Sequence, residues 1–239
     1  MKATSRLRVL VIDVGGSHVK TRVSGKREMR QFESGPRLTA RQMVKRVHEL
    51  AGEWVYDVVS IGYPGIVLHG KLFTEPVHLG GGWVGFDFAK ALGRPTRVLN
   101  DAAMQAIGSY EGGRMLYLGL GTGLGSALIV DGIVAPMELA HLMFKKGRSY
   151  EDYVGDSGRR RLGEKKWRKI VGEVVQQLST VLEADYVVIG GGNARKLRRL
   201  PKNARLGNND FAFIGGFRVW HASARQGRRG RKRAGVTLA

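Results

Sequence analysis

Three glycine-rich turns each follow a short apolar run: Asp13-Val14-Gly15-Gly16-Ser17, Gly121-Thr122-Gly123-Leu124-Gly125 and Gly190-Gly191-Gly192-Asn193. Glycine lets the backbone approach an anion closely and aim several N–H groups at it, so such turns suit phosphate. A single turn is better explained as a plain connection between strands. Three turns, two of them in matching places of a repeated pattern, favour phosphate binding. None is followed by Gly-Lys-Ser/Thr, which excludes a P-loop. The first two lead into strands rather than helices, which excludes a dinucleotide fingerprint. Asn100-Asp101 falls between a strand and a helix. An ordinary helix N-cap also favours these residues, but beside phosphate turns Asp101 becomes a candidate base for a hydroxyl nucleophile. Glu138 and His141 lie three residues apart. In a helix they would share a face and could converge on a polyol; otherwise they are a solvated pair. A zinc role for His141 lacks ligands, since the chain has no Cys.

These residues need elements to hold them. Residues 8–14 read as a buried, β-branched strand and residues 19–23 as its partner, with DVGGS as the turn between them. Residues 38–51 have the spacing of an amphipathic helix. Residues 55–62 read as a strand ending at Tyr63-Pro64-Gly65. Residues 69–85 are expected to be a glycine-rich loop, 86–92 a short helix, 96–99 a strand and 102–108 a helix. Residues 115–120 and 126–130 repeat the strand–turn–strand pattern: VLVIDVGGSHVKTRV stands beside MLYLGLGTGLGSALIV. That weak internal repeat bears on the fold. Residues 163–182 predict a strong helix, 186–189 a strand and 212–224 a last helix.

The chain has 239 residues, a net charge of +20, 43% hydrophobic residues and no Cys. The hydrophobic fraction supports a real core. The absence of Cys excludes disulfides, iron–sulfur clusters and thiol nucleophiles. No apolar run reaches the roughly 20 residues of a membrane span, and the N-terminal segment lacks the pattern of a signal peptide; a cytoplasmic protein is expected. The charge points to an anionic partner, with nucleic acid, acidic membrane, nucleotide and inorganic polyanion all open. Residues 225–239 carry six basic residues and no acidic one, and are expected to form a flexible basic tail.

Taken in order, the three turns, Tyr63-Pro64-Gly65, Asn100-Asp101 and Glu138-Leu139-Ala140-His141 resemble the sugar kinases of the ROK (repressor, open reading frame, kinase) family. Within that family, the likeness is strongest to the polyphosphate-using glucokinases. It covers roughly residues 8–220. It implies an α/β, two-domain, actin-like (ribonuclease H-like) fold with a duplicated β-hairpin unit and a central cleft. The expected division is 1–100, 101–224 and the tail 225–239, with the last helix able to return to the first domain. By that likeness Asp101 is the catalytic base, and Gly65, Asn100, Asp101, Glu138, His141 and, by a looser alignment, Glu151 surround the sugar. Asp13, Gly15, Gly16, Ser17, Lys20, Thr122, Gly123, Gly191 and Gly192 match the phosphate and nucleotide side, with Asp13 organising Mg²⁺ through water. A homodimer is also expected.

The chain departs from the family in three ways. It lacks the Cys-rich zinc loop of many relatives, as do the polyphosphate-using members. Ala140 stands where Gly is usual. Gly80-Gly81-Gly82 has no counterpart with a role. The resemblance implies transfer of a phosphoryl group from polyphosphate or ATP to the 6-hydroxyl of glucose or a similar hexose. Arg159, Arg160, Arg161, Lys165, Lys166, Arg168 and Lys169 are candidates for a polyphosphate track, with a solvated basic face equally consistent with the run. A non-catalytic sugar-responsive regulator is the competing class, as is non-specific nucleic-acid binding by the tail.

Overall fold

The computed structural model describes residues 7–208, 210–222 and 237–238. Two mixed sheets dominate it. In the first, β1 (Val9–Val14), β2 (His18–Val23) and β3 (Arg30–Glu33) form an antiparallel meander, and β4 (Val58–Tyr63) is parallel to β1. After a small hairpin of β5 (Val67–Leu68) and β6 (Lys71–Leu72), β7 (Thr96–Asn100) adds parallel to β4. In the second sheet β8 (Arg114–Leu120), β9 (Leu124–Val130) and β10 (Ile133–Met137) form the meander. A side hairpin, β11 (Met143–Lys145) and β12 (Arg148–Ser149), precedes β13 (Tyr186–Gly190), which lies parallel to β8, and β14 (Ala204–Leu206) follows parallel to β13. The orders β3-β2-β1-β4-β7 and β10-β9-β8-β13-β14 are therefore the same. The weak sequence repeat marks a duplicated sheet.

The expectation of a free tail meets one correction. Residues 225–236 and 239 lie outside the described residues, but β15 (Thr237–Leu238) pairs parallel with β10 at the sheet edge.

The helices follow from local sequence. Thr39 caps α1 (Ala40–Ala51) reciprocally with Gln42, which places the start two residues later than the apolar spacing suggested. Asp87 caps α2 (Phe88–Leu92), again later than expected. Asn100 caps α3 (Asp101–Ser109). In the second half α4 (Tyr150–Val154) and α5 (Asp156–Leu162) occupy a stretch in which the spacing showed no helix, because each is too short for a period to register. Ser149 marks the first with a capping box. The strong helix is α6 (Glu164–Val181), with Trp167, Ile170, Val171, Val174 and Leu178 inward. The last helix is α7 (Phe211–Ala222). The strand expected at 55–62 begins only at Val58, since Asp57 turns aside to take the Arg8 amide at 2.8 Å.

Helices α3 and α7 join the halves. Each would overlap the other's backbone if Gly108 or Gly215 carried a Cβ. Gly216 packs on the Val11 side chain, and Ser60 Oγ donates to the Gly216 carbonyl at 2.7 Å while accepting from Trp220 Nε1 at 2.9 Å. Ala212 and Phe213 pack with Val9, Val11, Val58 and Met104 of the first half. Arg218 donates to the carbonyls of Ile107, Gly108 and Tyr110, closing the C-terminus of α3.

Candidate active site

The first turn leaves β1 at Asp13 and re-enters at β2. The Gly15 amide donates to the His18 carbonyl at 3.0 Å, and Ser34 Oγ donates to the Gly15 carbonyl at 2.6 Å. The amides of Gly16 and Ser17 have no acceptor among the described residues, so they remain available to an anion. Asp13 faces Lys20 across the β1–β2 ladder. Burial pushes the Asp13 carboxyl above its ordinary pKa, and Lys20 offsets this only in part.

The second and third turns are built together. Gly191 has a positive φ of 83°, and a Cβ there would overlap the Leu120 backbone. The Asn193 amide donates to the Leu120 carbonyl at 2.9 Å, and Asn193 Nδ2 donates to the Gly121 carbonyl at 3.1 Å. Asp156, at the start of α5, donates its amide to the Thr122 carbonyl at 3.1 Å. Glu151 accepts the Leu124 amide at 3.0 Å and occupies the space where a Gly123 Cβ would stand. The amides of Thr122 and Gly123 have no acceptor among the described residues. Gly191 and Gly192 thus sit against the second turn, at the adjacent ends of parallel β8 and β13.

Asp101 opens α3 at the end of β7. Its Oδ1 accepts the Ala102 amide at 2.7 Å. Its pKa is pushed up to about 7, chiefly by burial, next by the charge of Asp13 and further by that of Glu138, while the Ala102 hydrogen bond opposes the rise. Below both aspartates lies Tyr117, whose hydroxyl donates to Gln105 Oε1 at 2.6 Å. Burial and the two carboxylates hold that phenol well above its usual value. Gly119 and Gly190 make room for its ring. Tyr117 and Gln105 escaped the sequence reading; a tyrosine inside an otherwise aliphatic strand was the available signal.

Asn100 adjoins Asp101 in the chain, and the charge of Glu138 reaches Asp101. Asn100 Oδ1 accepts the Ala103 amide at 3.1 Å and its Nδ2 donates to the Gly65 carbonyl at 3.1 Å. One N–H and one lone pair of the side chain remain for a ligand. Glu138 sits at the N-cap of a single 3₁₀ turn (Leu139–His141) and His141 ends it, so the two do not share an α-helical face, which corrects the helical reading. Ser126 fixes this segment, donating to the Met137 carbonyl at 2.7 Å and accepting the Leu139 amide at 3.2 Å. Burial raises the Glu138 pKa, His141 opposes the rise, and Glu151 adds to it. The structure therefore brings both His141 and Glu151 within electrostatic reach of Glu138, and ties Glu151 to the second turn as well.

The basic run on α5 and α6 is mixed. Arg159 and Arg160 each pair with Asp156 at 2.7 Å, and Arg168 pairs with Glu164. Arg161 donates to the Asp152 carbonyl at 2.7 Å. Lys165, Lys166 and Lys169 are exposed and form no ion pair within 4 Å among the described residues; with Leu162, Gly163 and Glu164 they line a shallow open pocket. No three His, Cys, Asp or Glu side chains converge as a metal cage among the described residues. Nor is any described helix long and apolar enough to cross a membrane.

No family model matches the chain. It is 26% identical over 216 residues to a polyphosphate glucokinase of Mycobacterium tuberculosis, covering 81% of each. It is 28% identical over 220 residues to a polyphosphate glucokinase of Mycobacterium leprae, covering 82% of this chain and 67% of that protein. Among solved structures, it is similar to an inorganic polyphosphate/ATP-glucomannokinase from Arthrobacter sp. strain KM, with a TM-score of 0.74, 23% identity and coverage of 88% and 97%. It is also similar to a ROK family protein from Streptococcus pneumoniae in complex with sucrose, with a TM-score of 0.76, 14% identity and coverage of 92% and 100%. A ROK family glucokinase from Streptomyces griseus, in complex with glucose and AMPPNP, gives a TM-score of 0.70 at 15% identity, with coverage of 87% and 97%. At these identities the solved structures speak to the fold: the actin-like, two-domain α/β fold of the ROK sugar kinases.

Proposed function

We propose that the chain is a hexose kinase that moves a phosphoryl group from polyphosphate or ATP to the 6-hydroxyl of glucose or a close relative. The observation that carries the reading is the placement of Asp101. A carboxyl with a pKa of about 7 stands at the start of α3, near Asp13 of the first turn and Glu138 just after the third strand of the second meander. Its burial makes it a stronger base than a solvated aspartate, and it is ionised in a large fraction of molecules at neutral pH. The curated relatives, named polyphosphate glucokinases, support the same chemistry.

In this mechanism Asp101 takes the proton of the sugar hydroxyl as its oxygen attacks the terminal phosphorus in line, the bond from that phosphorus to its bridging oxygen breaks, and ADP or the shortened polyphosphate leaves. Asn100, Glu138, His141 and Glu151 hold the other hydroxyls, with Gly65 giving close backbone approach. The free amides of Gly16, Ser17, Thr122 and Gly123 receive charge on the donor phosphates, with Lys20 behind them. Gly191 and Gly192 border the far end of the donor.

Mg²⁺ suits this site as a phosphate-bound ion. It is commonly held by one or two carboxylates plus phosphate oxygens and water, and Asp13 offers one carboxylate whose burial is only partly offset by Lys20. When bound, Mg²⁺ would neutralise donor charge, and Asp13 would hold it. The decisive experiment measures sugar phosphorylation with ATP and with polyphosphate across a panel of hexoses. Transfer to glucose is expected. No transfer from either donor would refute the reading.

A further inference from the structure

The glycine run Gly80-Gly81-Gly82 belongs to a loop that reaches over the first turn. Residues 73–87 are held at several points. Tyr63 donates its hydroxyl to the Thr74 carbonyl at 2.7 Å, and Thr74 Oγ1 accepts the Ile66 amide at 3.2 Å. The Glu75 carboxylate accepts the amides of Trp83 and Val84, each at 3.1 Å, and so closes the loop on itself. Trp83 is fully buried, its ring 5.6 Å from Tyr63 and 6.2 Å from Phe88. The Gly80 amide donates to the Leu38 carbonyl at 3.0 Å, and a Cβ on Gly80 would stand 3.0 Å from the Arg37 carbonyl carbon. Only glycine lets the loop press this closely on the chain before α1.

The loop carries His78 onto Gly16. A Cβ built on Gly16 would lie 3.4 Å from His78 Cβ and 3.9 Å from its Cγ and Cδ2. The imidazole is exposed. Neither ring nitrogen has a hydrogen-bond partner among the described residues. It stands beside the unpartnered amides of Gly16 and Ser17, on a loop whose anchors fix it before any ligand arrives. A loop backbone held in place in this way loses little freedom on binding.

We propose that His78 is a donor-phosphate ligand, giving a ring N–H to the phosphate oxygen that rests on Gly15–Ser17. The proposal rests on reading the first turn as part of the donor site. It assigns loop 73–87 to the donor side of the cleft and gives Gly80 its function, which is to seat that loop.

The test uses the full chain. Binding of inorganic tripolyphosphate is measured by calorimetry without sugar, and donor and glucose KM are measured separately. Loss of one hydrogen bond to a charged group should weaken tripolyphosphate binding of His78→Ala roughly tenfold or more. Donor KM should rise with it, while glucose KM and the thermal midpoint stay as in the wild type. His78→Gln, which keeps an N–H donor, should recover part of the loss. Wild-type tripolyphosphate affinity in His78→Ala overturns the proposal. So does a rise in glucose KM with donor KM unchanged, or a uniform loss accompanied by a lowered thermal midpoint. A wild-type chain that neither binds tripolyphosphate nor phosphorylates glucose overturns the kinase reading itself, and the proposal with it. A working wild type with an indifferent His78→Ala overturns the proposal alone.

Discussion

The two sheets share one strand order, yet they treat equivalent positions in opposite ways. In the first half, the strand at the parallel edge ends at Asn100 and α3 begins with Asp101, part-buried and loaded by Asp13 and Glu138. In the second half, the matching strand ends at Leu206, and the acid before α7 is Asp210, exposed and paired with Arg22 at 3.3 Å. The hairpin turns differ too. The first is left open except for His78, whereas the second is filled by Glu151 and bordered by Asn193 and Asp156. A duplicated scaffold supplies position; burial and neighbours decide which copy of an acid becomes a base.

The largest expected effect separates the two acids. Asp101→Asn should lower turnover by roughly a hundredfold to ten-thousandfold while glucose binding, followed by calorimetry, persists. Asp210→Asn removes only an exposed ion pair, and its turnover should stay within about twofold of the wild type. Equal losses in both variants would erase the contrast.

The pH dependence sharpens the same contrast. A base must be ionised, so kcat/KM should rise with pH through about 7 and level off above it. The effect on stability has the opposite sign. Asp101 has a higher pKa folded than unfolded, so its protonated form favours the native state and that contribution is lost as pH rises from about 4 through about 7. Asp101→Asn should therefore raise the thermal midpoint relative to wild type at pH 8 and change it little at pH 4.

The turns give a smaller effect. Gly123→Ala places a methyl where the Glu151 carboxylate stands, so Glu151 must release the Leu124 amide. A loss of about 1 kcal/mol in denaturant unfolding is expected, together with a raised sugar KM. Gly16→Ala meets His78 at 3.4 Å, and should cost less stability than Gly123→Ala in the same measurement. The reverse ranking would mean that the first turn is the more tightly filled.

The smallest effect concerns the basic run. Arg159, Arg160 and Arg168 already serve Asp156 and Glu164, so Lys165, Lys166 and Lys169 are the lysines of the run left for a polyanion, with Lys165 and Lys166 adjacent. The double variant Lys165→Ala/Lys166→Ala should raise the KM for long polyphosphate a few-fold, more at low salt than at high. The KM for ATP should not follow.

The sequence by itself determined the parts that depend on local physics. Continuous apolar runs closed by glycine became β1, β8 and β13, because such buried strands admit few other structures. The long apolar stripe became α6, and the repeated hairpin announced the duplicated sheet. The candidate residues, too, were legible as types: a carboxylate after a strand and glycines after strands. Short elements such as α4, α5 and β14 were not, since three to seven residues carry too little period. The 3₁₀ turn at Leu139–His141 was missed because a three-residue spacing fits both helix types.

Tertiary structure alone decided the chemistry of each part. Asp101 and Asp210 are the same residue type near the same point of a repeated unit. One is withdrawn from water and faces other carboxylates, and the other lies in solvent beside an arginine. The same holds for the basic run, where ion pairs take up Arg159, Arg160 and Arg168 out of a charge that looked uniform along the chain. Desolvation and pairing depend on residues far apart in sequence, and these long-range neighbours set the strength of a base and the availability of a cation.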